Sequence, residues 1–200
     1  MIFKTKIYLI VLVGYLALSS KVYAYDASVG LGNLSEFIGK IQTDDQGNSA
    51  IISLNPYLKL NIDFIYDAKN PNHIINSEIG LTIPKSDPDP NTHRLKFFGL
   101  LNYKYQLESL YTKIGLGLFF TRVWANDGEE ELNNGSSTTS FPLPDKATVS
   151  RNAIVNLALG HSITTNLNAE IQSMIFNLTN NEDRAFSVGV CLNYQLGEIW

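Results

Sequence analysis

Apolar and polar residues alternate with a period of two along eight stretches of this chain, and that period predicts strands rather than helices. Near residues 25–33, Ala27, Val29 and Leu31 oppose Ser28, Gly30 and Gly32. Near 49–60, Ile52, Leu54, Pro56, Leu58 and Leu60 oppose Ser53, Asn55, Tyr57 and Lys59. Near 73–83, Ile75, Ile79, Leu81 and Ile83 oppose Asn76, Glu78, Gly80 and Thr82. Near 93–105, Leu95, Phe97, Leu101, Tyr103 and Tyr105 oppose Lys96, Asn102 and Lys104. The second half is cleaner. Near 111–124, Ile114, Leu116, Leu118 and Phe120 oppose Lys113, Gly115, Gly117 and Thr121. Near 148–160, Val155, Leu157 and Leu159 oppose Asn152, Asn156 and Gly160. Near 166–176, Leu167, Ala169, Ile171 and Ile175 oppose Asn168, Glu170 and Gln172. Near 184–196, Phe186, Val188, Val190, Leu192, Tyr194 and Leu196 oppose Ser187, Gly189, Asn193 and Gln195.

Alternation fits any half-buried sheet, so the non-apolar phase has to decide what the apolar phase faces. A soluble sheet turns that phase to water and fills it with Lys, Glu and Thr. Here Gly, Ser and Asn dominate it, which suits the crowded interior of a narrow barrel. The apolar phase carries no charge through the middle of any strand. A Lys or Arg there costs about 2–4 kcal/mol at a bilayer midplane. The pattern therefore predicts a closed antiparallel eight-stranded transmembrane β-barrel. A soluble periplasmic ligand-binding barrel or sandwich is the competing reading. Tyr103, Tyr105 and Tyr194 toward one end, and Phe97, Phe120, Trp124 and Phe186 toward the other, supply the two aromatic belts that membrane interfaces favour. Arg122 sits in the outward phase near a strand end, where its head can reach the headgroups.

The N-terminus predicts a cleavable signal peptide over residues 1–24. Lys4 and Lys6 precede an apolar run from Ile7 to Leu18, and Val22, Tyr23 and Ala24 offer a cleavage site. That run is short for a membrane-spanning helix of about 20 residues, and an uncleaved anchor is the alternative. Removal leaves 176 residues, one domain over 25–200, with 12 basic against 19 acidic residues and a net charge of −7. Such a balance argues against nucleic acid as a partner. Cys191 is the single cysteine, so no internal disulfide is possible. After residue 24 no apolar run approaches the length of a spanning helix, which excludes a helical membrane protein and leaves a barrel open.

An even strand number puts both chain ends on one side, the periplasm in barrels of this kind. Short turns are expected there, at 106–110 and 161–165, and longer outer loops at 34–48, 84–92, 125–147 and 177–183. The connection 61–72 is long for a periplasmic turn. Residues 61–66 either extend the second strand or cover the base of the barrel, and the sequence does not choose.

The last strand carries the most specific pattern. From Ser187 to Tyr194 it runs polar residue, Gly two on, then hydrophobics separated by one, in the manner of an outer-membrane assembly signal. In this the chain resembles the small eight-stranded outer-membrane barrels of the OmpA-barrel and OmpX-like superfamily. The resemblance covers the whole mature chain as architecture. It implies recognition by the barrel-assembly machinery of Gram-negative bacteria through Ser187, Gly189, Leu192 and Tyr194, and it brings no functional residue with it. The chain continues past Tyr194 to Trp200, so either could serve as the terminal aromatic. The stretch Gly115 to Arg122, followed by Leu132, Asn133, Asn134 and Gly135, also looks like a group of uncharacterised bacterial outer-membrane proteins.

Candidate chemistry is sparse. The interior charges Lys59, Glu78, Lys96, Lys113 and Glu170, with Lys104, can form ion pairs that fill the barrel, or gate it if partners exchange. Hairpin spacing around 84–92 sets Glu78 opposite Lys96. The loop 125–147 is the expected interaction surface. Its Asn133, Asn134 and Gly135 mark a hairpin turn. Its acids Asp127, Glu129, Glu130 and Glu131 invite Ca²⁺ or cation bridges to lipopolysaccharide but lack ligand spacing. His161 and Ser162 suggest lipid-modifying chemistry, yet no acid is placed to orient the His, and His73 and His93 complete no metal pattern. The reading is a non-enzymatic barrel with no cofactor and no metal, with outer-membrane lipid and lipopolysaccharide as partners. Its role is structural or interactive through its loops. The alternatives are a small-solute or hydrophobic-ligand passage and a lipid-modifying enzyme.

Overall fold

The computed structural model describes residues 24–35, 42–43, 49–50, 55–65, 69–83, 85–86, 92–125, 129–133, 138–142, 146–179 and 184–198. Residues 1–23 of the expected leader lie outside them. Ala24, its last residue, already pairs with Ile65.

Eight strands carry the architecture: β1 (Ala24–Ser35), β2 (Pro56–Ile65), β3 (His73–Thr82), β4 (Thr92–Leu107), β5 (Leu110–Ala125), β6 (Thr148–Ser162), β7 (Leu167–Phe176) and β8 (Ala185–Glu198). Each pairs antiparallel with its neighbours in sequence, and β1 pairs with β8, so the sheet closes into a barrel with no free edge. Closure gives each strand a paired neighbour on both sides through the middle of the barrel, the condition that lets strands stand in an apolar surround. The turns at residues 108–109 and 163–166 are tight, and Glu108 adopts a φ of 50° to make the first. They share one end of the barrel with residues 69–72 and the start of β1. The long connections share the opposite end. There Glu129–Asn133 pairs with Thr138–Pro142 as a separate hairpin, with Asn133 opposite Thr138 beside the expected turn. The register of β1 on β8 slips between Ala27 and Ser28. Gly197, at φ 95°, absorbs the extra residue as a bulge that few side chains would tolerate.

The two phases separate as the pleat requires. Leu116 is 68 % exposed, Ile79 62 % and Ile171 57 %, whereas Glu78, Gln172 and Asn156 are buried at 1 % or less. Leu118, Val190 and Leu192 also face out, and Gly189 faces in. Phe97 stacks on Phe120 at 4.5 Å toward the long-loop end. Tyr103, Tyr105 and Tyr194 ring the other end.

Two boundaries differ from the sequence reading. The second strand begins at Pro56, not near 49, because Ser49–Ala50 pairs instead with Gln42–Thr43. Asn61 to Ile65 extend β2, paired with β1 and β3 throughout, which resolves the long connection in favour of more strand.

Candidate functional site

Inward-facing side chains fill the barrel in three levels. Nearest the long loops lies an apolar plug of Leu34, Tyr57, Phe98, Leu100, Phe119, Ile154, Met174 and Phe176. Phe98 stacks on Phe119 at 6.2 Å, and Phe119 meets Phe176 edge-on at 5.1 Å. Rings of this size fit because glycines face them. Tyr57, Phe98 and Tyr111 each lie over the glycine directly opposite on the next strand, Gly32, Gly80 and Gly160 respectively. A cross-strand aromatic covering a glycine restores the packing that the glycine lacks.

At mid-height four charges from four strands converge. Lys59 of β2 bonds Glu170 of β7 and lies 3.5 Å from Glu78 of β3. Lys113 of β5 reaches Glu78 at 2.7 Å and Glu170 at 2.9 Å. Both carboxylates and both ammonium groups are essentially without solvent contact. Tyr111 Oη donates to Glu170 at 2.9 Å, and Gln172 and Asn102 donate to Glu78 at 3.2 and 3.3 Å. Asn156 bridges Asn102 and Gln172. The cluster is neutral, with two cations and two anions, and each lysine touches both acids. Desolvating an ion costs several kcal/mol, so such a group persists only when every charge is answered.

Below it, toward the tight turns, Lys104 bonds Asp63 at 2.6 Å and Asn76 donates to the same carboxylate. Asn61 donates to Ser28 Oγ and Asn193 Oδ1. The cavity between these groups holds only about 10 Å³, close to the minimum for one water.

Of the interior charges read from sequence, Lys59, Glu78, Lys113 and Glu170 meet in one cluster. Lys96 is also buried, but at the level of Thr82, whose hydroxyl bonds both its backbone N–H and its C=O. The pairing of Glu78 with Lys96 is therefore corrected. Thr82 and Lys96 share a level, and Leu100 stands opposite Glu78. The cause is that the hairpin continues through Lys85–Ser86 on Arg94 and His93, which moves its apex toward the C-terminal side of the connection. Asp63 and Tyr111 were missed. Strict parity within their strands would have found both, since Asp63 lies four residues beyond Lys59 and Tyr111 two before Lys113.

Ser187 and Gly189 face the interior, whereas Leu192 and Tyr194 face out. Cys191 is buried in the interior beside Asn193. The three histidines stand apart. His73 contacts Tyr103 and Tyr105, His93 lies 5.6 Å from Trp124 at the opposite end, and His161 is exposed at the end of β6. Among the described residues no three His, Cys, Asp or Glu side chains gather as metal ligands. Glu129 accepts a bond from Ser140 across its hairpin at 2.7 Å, and Asp127 lies outside the described residues.

A closed eight-stranded antiparallel meander with its interior filled by side chains is the architecture of small outer-membrane barrels of the OmpA and OmpX type. No protein-family model and no curated protein matches the sequence. Among solved structures, the chain is similar to Ail, the attachment invasion locus protein of Yersinia pestis. That match has 9 % identity and a TM-score of 0.49, over 86 % of this chain and 97 % of that one. It is similar to neisserial surface protein A at 9 % identity and TM-score 0.46, covering 86 % and 95 %. It is also similar to the N-terminal β-barrel domain of Pseudomonas aeruginosa OprF, at 9 % and 0.43, covering 85 % and 96 %. Scores this low add nothing to the strand pairing, which defines the fold by itself.

Proposed function

We propose that this chain is an integral outer-membrane barrel with a closed interior, serving a structural or surface-interaction role through its long loops. The observation that carries the reading is the division of phases. The outward face is a continuous apolar band on all eight strands, and every described Lys, Asp and Glu of the barrel wall between its ends belongs to the enclosed face. Apolar surface of that extent needs lipid to cover it. The signal peptide over 1–24, periplasmic termini and recognition of Ser187, Gly189, Leu192 and Tyr194 by the assembly machinery belong to the same proposal, with lipid and lipopolysaccharide as the surrounding partners.

The plug and the neutral cluster support a closed barrel over a small-solute passage, since buried side chains cross the interior at two levels and the cavity below the cluster holds about 10 Å³. The separation of the histidines weighs against the lipid-modifying alternative. The test is electrophoresis of the full chain with and without heating, together with carbonate extraction of membranes. A heat-dependent shift and carbonate resistance are expected. Release with the periplasmic fraction on osmotic shock would refute membrane insertion. In planar bilayers we expect no discrete conductance steps from the wild type, and regular steps would favour the passage.

Leu116→Arg places a charge in the middle of the outward band. It is expected to cost about 2–4 kcal/mol on refolding into vesicles. The same substitution would be nearly neutral if Leu116 faced water, and urea titration of the refolded barrel separates the two.

A further inference from the structure

We propose that Arg122 and Arg151 form a binding site for the phosphate of an anionic lipid in the leaflet at the long-loop end, an inference that rests on the membrane reading above. Among the described strand residues, the outward phase holds only these two full charges, and both are exposed arginines. The register brings them together. Arg122 stands opposite Val149, and Arg151 stands opposite Phe120 on the same two strands, which makes the arginines diagonal neighbours. At that spacing, about 7–8 Å, long side chains meet. Two guanidinium groups so close repel unless an anion lies between them, and among the described residues no carboxylate bonds either one.

Their surroundings fit an interfacial headgroup. Arg122 lies over the Trp124 ring at 5.4 Å, and His93 packs on the same ring. The Phe97–Phe120 stack is level with Arg151 and lies one outward position nearer the middle of the barrel than Arg122. The arginines therefore sit where the apolar band ends, with an aromatic floor beside them, at the depth of headgroup phosphates. A guanidinium presents paired N–H donors that match phosphate oxygens, and two from adjacent strands would clamp one phosphate from both sides. Snorkelling to the interface places each arginine separately. It does not require two of them side by side with no carboxylate bonded to either among the described residues.

The full chain, refolded in nanodiscs of phosphatidylcholine containing one-fifth phosphatidic acid, tests this by native mass spectrometry of the lipids that remain on the released barrel. In the wild type the ratio of phosphatidic acid to phosphatidylcholine on the barrel is expected to be about thirtyfold above that of the bilayer, taking about one kcal/mol for each of the two basic residues near an anionic surface. Arg122→Gln/Arg151→Gln should lose that enrichment while keeping the heat-dependent gel shift, and Arg122→Lys/Arg151→Lys should keep part of it. Millimolar inorganic phosphate should not displace the lipid. Equal enrichment in the wild type and the glutamine variant, or displacement by free phosphate, would overturn the lipid site and leave the membrane reading standing. Failure of the wild type to insert at all would overturn both.

Discussion

Glu170→Gln should lower the unfolding free energy by about 3–5 kcal/mol, the usual result of leaving a buried charge unanswered. Lys59 and Lys113 would then share the one carboxylate of Glu78, with no solvent to take the excess charge. The Tyr111 hydroxyl would keep an acceptor in the new amide oxygen, so the loss reports charge rather than a missing hydrogen bond. Urea titration of the barrel refolded in vesicles, followed by the heat-dependent gel shift, measures it. Lys113→Met/Glu170→Gln removes one charge of each sign and leaves Lys59 beside Glu78. That pair should recover most of the loss, because neutrality is restored. Equal stability of Glu170→Gln and the wild type would mean that the cluster does not hold the four strands together.

Gly160→Val is expected to cost about 3 kcal/mol or more, at the upper end for overpacking. A β-carbon at residue 160 would overlap the Tyr111 ring, which lies directly across the strand pair. The ring cannot swing away freely, because its hydroxyl is bonded to Glu170 and its face lies 4.6 Å from Lys104 Nζ. Gly160→Val with Tyr111→Ala should recover stability relative to the single change, since the small residue makes room for the isopropyl group. Refolding yield and urea midpoint for both variants check it. Gly160→Val tolerated without loss would mean that the ring is not held there.

The strands of the second half could be read from sequence because their outward positions are apolar without interruption, as in Ile114, Leu116 and Leu118. Their inward positions are small or polar. The first half misled at two points for physical reasons. Ile52 and Leu54 continue the alternation that Leu58 and Leu60 begin, so parity alone could not set the start of β2 at Pro56. Glu78 and Lys96 are partners only if the hairpin apex lies at about residue 87, whereas the ladder, with Leu81 opposite Phe97, centres on about residue 89.

The interior was legible in part. Lys59, Lys113, Glu78 and Glu170 lay in the enclosed phase, but which of them meet depends on strands far apart in sequence, joined only when the barrel closes. The apolar plug was hidden for a different reason. Phe98, Phe119 and Met174 share the inward parity of Lys96, Lys113 and Gln172, but apolar residues on an inward phase read as outward ones until closure is known. Paired with glycines on the neighbouring strand, such rings are the local sign that a wall of this kind closes on itself.

The account depends on lipid covering the outward face. In a Cys191→Ala background, cysteines placed at Leu116 and Ile171 and labelled with a small fluorophore report that surface in refolded, vesicle-bound protein. Strong quenching by lipids brominated on their acyl chains, with little quenching by aqueous iodide, is the predicted result. Iodide quenching at both positions without any effect of the brominated lipids would contradict it.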